Sequence, residues 1–88
     1  MHDLRPTLGA RIKELRRRLG VSQEELASRA ALHWSYLSDL ERDQQTPTMD
    51  LVNRLGRALG VTLAEFFSPF DQPFRLRSRK RRQDSRRR

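Results

Sequence analysis

Residues 20–67 run GVSQEELASRAALHWSYLSDLERDQQTPTMDLVNRLGRALGVTLAEFF and hold two short helical patterns joined by a tight turn, the second with short polar side chains near its start. Groups of that kind suit recognition: a compact helix pair presenting them can enter a major groove and exchange hydrogen bonds with base edges. The same chain is poorly arranged for catalysis. His2 and His33 share no metal-ligand spacing with each other or with acids, and there is neither a nucleophile elbow nor a phosphate-binding glycine loop. Glu24 and Glu25 are adjacent, so on a helix they point to different sides, as a solvated face does. The absence of cysteine removes a thiolate zinc site, a cysteine nucleophile and a disulfide framework, and fits a reducing cytosol. The expectation is a binding protein without metal or cofactor, and not an enzyme.

The elements that position those polar groups can be traced from apolar spacing. Leu8, Ile12, Leu15 and Leu19 recur at three-and-four intervals and predict a first helix over Thr7 to Leu19, capped by Thr7 and ended by Gly20. A second helix starts at Ser22, with Glu25 placed to complete a capping box, and buries Leu26, Ala27 and Ala30. Ala31, Leu32 and His33 form the turn. The third helix spans Trp34 to Arg42 with Leu37 and Leu40 inward, and Asp43 to Pro47 is a polar loop. Thr48 caps a fourth helix that buries Leu51, Leu55, Ala58 and Leu59 and stops at Gly60. Within it Gly56 costs about 1 kcal/mol relative to alanine unless a close backbone approach requires it. Thr62 caps a short fifth helix carrying Leu63, Phe66 and Phe67, and Pro69 forbids much continuation. The predicted fold class is all-α, five short helices around one core.

At 88 residues and 35% hydrophobic side chains, the chain supports one modest core. No apolar run approaches the ~20 residues needed to span a bilayer, and the N-terminus lacks the apolar stretch of a signal peptide, so a cytoplasmic location without membrane contact is expected. The net charge of +8 is placed unevenly. Ten basic and ten acidic residues balance from Met1 to Phe74, whereas the segment after it holds nine basic residues and one acid, Asp84. These nine are Arg75, Arg77, Arg79, Lys80, Arg81, Arg82, Arg86, Arg87 and Arg88. The composition predicts a folded domain over 1–74 and a disordered basic tail over 75–88 that grips nucleic acid without sequence preference.

The SQEELA start and the SYLSDLER that follows resemble the Cro and phage-repressor type of helix-turn-helix regulator, the Xre family, and the resemblance covers Leu8 to Phe67. It implies that the third helix lies in the major groove while the second abuts the phosphate backbone. Carried over position by position, it places His33, Trp34, Ser35, Ser38 and Asp39 toward base edges. It also places Ser22, Gln23, Arg17, Arg42, Gln44 and Gln45 toward phosphates. Asp39 could then accept from a cytosine amino group, and Trp34 could pack on a thymine methyl or instead against Tyr36 or the second helix. Arg16 and Glu41 match a structural ion pair of the family that sets the angle between helices. The chain departs from the family pattern at Ala31 and Asp43, where the turns usually carry glycine. From Ser22 to Gln45 two basic residues face five acids, a local charge of −3 that suits phosphates poorly.

The resemblance implies a transcription regulator, a repressor of bacterial or phage origin, binding double-stranded DNA as a homodimer on a palindromic operator. The dimer surface is expected at Leu63, Phe66, Phe67 and Phe70, which supply more aromatic surface than so small a core can use. No small-molecule effector is evident. Two alternatives stay open: an antitoxin or adaptor whose helical domain holds a protein partner, and the controller protein of a restriction-modification system.

Overall fold

Hydroxyl side chains open four of the five helices found among the described residues. Thr7 Oγ1 accepts from Ala10 N at 3.0 Å, Ser22 Oγ from Glu25 N at 3.0 Å, Thr48 Oγ1 from Leu51 N at 3.1 Å and Thr62 Oγ1 from Glu65 N at 3.0 Å. The computed structural model describes residues 7–70, and these contain α1 (Leu8–Leu19), α2 (Gln23–Arg29), α3 (Trp34–Glu41), α4 (Met49–Leu59) and α5 (63–70). No strand occurs among them, in keeping with the all-α expectation. The expected division between residues 74 and 75, and every tail residue, lie outside the described residues.

The capping box is complete at α5, where Thr62 N also donates to Glu65 Oε1 at 2.9 Å. At α2 it is half made, because the Glu25 carboxylate takes Arg29 Nε at 2.9 Å instead. Gly20 and Gly60 end α1 and α4 in the left-handed conformation, as predicted.

Ile12, Leu26, Leu37, Leu40, Val52, Leu55 and Phe66 form the fully buried centre, drawn from all five helices. Two predictions about this core are corrected. Leu19 stands 42% exposed, in a last turn of α1 whose residues 17–19 are all exposed. Phe66 was expected on a dimer surface but is fully buried: α5 turns it inward, where it plugs the core and meets Phe67 edge to face at 5.0 Å. Pro69 does not stop α5, which runs on to residue 70.

Two glycines mark close backbone approaches. A Cβ on Gly9 would lie 2.9 Å from the Glu41 carbonyl oxygen, so α1 can cross the end of α3 only without a side chain there. At Gly56 an added Cβ would stand 3.3 Å from Val61 O, which explains a glycine inside α4.

Candidate nucleic-acid interface

The turn between α2 and α3 is tight because Leu32 N donates to Ala27 O at 2.8 Å while Ala31 takes a left-handed backbone with φ 58°. For alanine that conformation costs about 1 kcal/mol. Arg54 on α4 steadies the turn by pointing Nη1 at the carbonyl oxygens of Ala30 and Ala31, at 3.4 and 3.5 Å. His33 then precedes α3 without a side-chain cap. The first amides of α3 are therefore capped by no side chain and start an exposed face.

That outer face carries Trp34, Ser35, Ser38, Asp39 and Arg42, which together line a shallow depression of about 200 Å³. Four of the five residues assigned to base edges lie in it, and His33 is exposed at its N-terminal end. Asp39 Oδ1 accepts from Arg42 Nη2 at 2.7 Å, with the two side chains 37% and 63% exposed. Such a surface pair contributes little to stability and opens readily.

Behind this face is a buried polar junction. Arg16 Nε donates to Glu41 Oε2 at 2.6 Å and Arg16 Nη2 to Glu41 Oε1 at 3.0 Å, while Nη1 donates to Val21 O at 3.0 Å. The Glu41 side chain is 2% exposed. Its hydrogen bond to Arg16 raises the guanidinium further above its ordinary pKa, so that end of the pair is always charged. Gln23 extends the junction to the surface: its Nε2 donates to Glu41 Oε1 at 3.0 Å, and its Oε1 accepts from Trp34 Nε1 at 3.0 Å. The half-buried Gln23 amide thus bridges α3 and the ion pair. Trp34 is tied to α2 through this bond while remaining 54% exposed.

The other residues assigned to phosphates are spread around this face. Ser22 Oγ is committed to capping α2. Arg17, Gln44 and Gln45 are exposed. Of the residues assigned to a dimer surface, Leu63 is 38% exposed and Phe67 and Phe70 are half-buried, their rings edge to face at 5.8 Å.

Two positioning residues were not found from the sequence. Arg11, 4% exposed, donates from Nε to Phe66 O at 2.8 Å and from Nη2 to Glu65 O at 2.6 Å. Pro69 has no N–H to give the carbonyl four residues before it, and Arg11 Nη2 and Ser68 Oγ, the latter at 3.1 Å, donate to it instead. A proline placed four residues after a helical carbonyl was the available signal. Asp43, with φ 60°, is the second. Its Oδ2 accepts from Thr7 Oγ1 at 2.7 Å and its Oδ1 from Gly9 N at 3.0 Å, so it caps α1 across the fold. Glycine, which the family usually carries there, could not make this contact.

No helix among the described residues is long and apolar enough to cross a membrane, and none of their His, Asp and Glu side chains cluster to hold a metal ion. A family model described as a helix-turn-helix domain matches residues 7–66. The chain is similar to the HTH-type transcriptional regulator y4dJ of Sinorhizobium fredii, 40% identical over 76 residues that cover 85% of this chain and 99% of that protein. It is also similar to the immunity repressor protein of Bacillus phage phi105, 38% identical over 66% of this chain and 40% of that one. Among solved structures, the restriction-modification controller protein C.AhdI of Aeromonas hydrophila superposes with a TM-score of 0.66 at 37% identity, over 68% of this chain and 91% of that one. The junction behind α3, the open outer face and these likenesses agree: the chain belongs to the helix-turn-helix family of DNA-binding regulators, of the Xre or Cro and phage-repressor type.

Proposed function

We propose that this protein is a sequence-specific transcription regulator that places α3 in the major groove of duplex DNA and acts by binding, without catalysis. The observation that carries the reading is the outer face of α3: exposed, polar and aromatic, on a helix whose orientation is fixed by a buried ion pair. A face that folding does not need, held rigidly, is suited to reading base edges. Such a small domain gains specificity by doubling its contacts, so a homodimer on a two-fold symmetric operator is proposed, with Leu63, Phe67 and Phe70 in the contact. The basic segment after Phe74 adds salt-dependent affinity that carries no sequence information. The likeness to a controller protein over 91% of that chain favours, as a narrower reading, control of a restriction-modification system.

Selection from a random duplex pool at physiological salt, using the full chain, tests this. Enrichment of a motif with two-fold symmetry is expected. Retention of DNA with no motif enriched would contradict the reading and point to a protein partner instead.

A further inference from the structure

Trp34 is the one tryptophan of the chain and the first residue of α3. Its indole has a single polar group, an N–H that can only donate. That group is engaged at the surface, with Gln23 Oε1 at 3.0 Å. Gln23 cannot easily turn away, since its own Nε2 is bonded to Glu41 Oε1, and Glu41 is gripped through both oxygens by Arg16. The indole is therefore oriented by a relay that begins in the core, and no hydrogen bond remains for it to offer a base. What it presents to solvent is apolar ring surface, at 54% exposure, beside a depression bounded by Ser35, Ser38, Asp39 and Arg42.

Almost everything a base pair displays in the major groove is a hydrogen-bond donor or acceptor, and the exception is the methyl group on pyrimidine C5. Resting on the proposal that α3 occupies that groove, we infer that Trp34 reads a pyrimidine C5-methyl group, carried by thymine or by 5-methylcytosine. Gln23 is a positioning residue for this contact. The Asp39 carboxylate lines the same depression, with Arg42 Nη2 at 2.7 Å.

The test uses the full chain and synthetic duplexes carrying the selected motif. Each thymine is replaced in turn by deoxyuridine, which removes only the methyl group, and each cytosine by 5-methyldeoxycytidine, which adds only one. Binding is followed by the fluorescence anisotropy of a dye-labelled duplex, a readout that serves the chain with and without Trp34, its single tryptophan. At one position in each half-site, removing the methyl is expected to weaken binding, or adding it to strengthen binding, by about fourfold, the effect of burying one methyl group. The deoxyuridine arm responding identifies thymine as the source, and the methylcytosine arm identifies the modified base. Trp34→Ser is expected to bind both members of that pair equally. If a motif is selected but no single methyl change alters affinity, or Trp34→Ser keeps the full discrimination, the inference fails and the regulator reading stands. If no motif is selected at all, both fail.

Discussion

On its inner face α3 carries Leu37 and Leu40, both fully buried, and Glu41, whose carboxylate is held by Arg16 and Gln23. On its outer face it carries Trp34, Ser35, Ser38 and Asp39, turned toward solvent around a shallow depression. The inner residues leave almost no freedom: a buried carboxylate must keep its partner, and fully buried leucines must keep their shape. The outer residues are under no such constraint from folding. The two faces are joined at one point, the Gln23 side chain, which touches Glu41 with one end and Trp34 with the other.

Removing the inner carboxylate should have the largest effect. Glu41→Ala leaves Arg16 buried without its partner and is expected to lower stability by about 3 to 5 kcal/mol. Glu24→Ala, on the exposed side of α2, should stay within about 0.5 kcal/mol. Equal losses in urea unfolding would break the distinction between structural and surface acids. Arg11→Ala should follow, at about 2 kcal/mol, because it takes one donor from each of the Glu65 and Phe66 carbonyls, Glu65 O keeping Ser68 Oγ at 3.1 Å. Hydrogen exchange should then quicken in α5 before α1 to α3, and uniform quickening would count against a local anchor.

Trp34→Ser should change unfolding stability by less than about 1 kcal/mol while weakening binding to the selected duplex, the reverse of the Glu41 pattern. A large loss of stability would place Trp34 with the inner face. The smallest effect concerns Glu14. The Arg11 guanidinium, by its hydrogen bond, holds its carboxyl below the ordinary glutamate pKa, with Arg18 adding to the same direction. A depressed folded-state pKa stabilises the fold above the unfolded value, and that gain is lost as pH falls through the folded pKa. With the Glu14 side chain 45% exposed, solvent screens the effect, so acid titration should show a shifted Glu14 carboxyl and little change in melting. An unshifted carboxyl resonance would argue against these contacts in solution.

The helices were legible because hydroxyl caps and apolar spacing are local signals, and both survive in the structure at Thr7, Ser22, Thr48 and Thr62. The Arg16 and Glu41 pair was legible through the resemblance, since both partners are charged side chains at recognisable positions. Arg11 was not, although it is as buried as Glu41, because its partners are backbone carbonyls, which every residue has. Asp43 looked like a flaw in a glycine position for the same reason: its role lies in contacts to α1 more than thirty residues away. Phe66 is placed on the surface by counting aromatic area against a small core, and that count cannot tell which of the four side chains α5 turns inward. The bridge that Gln23 makes between Trp34 and Glu41 was not legible, because no local sequence signal shows that both would reach one side chain.

The central claim is that the outer face of α3 reads sequence. It is tested most directly by recording amide and indole resonances of the full chain while adding the selected duplex, and then a scrambled duplex of the same length. The Trp34 indole signal and the amides of Ser35, Ser38 and Asp39 should shift with the selected duplex and move far less with the scrambled one. Shifts confined to residues after Phe74, and identical for the two duplexes, would contradict the claim.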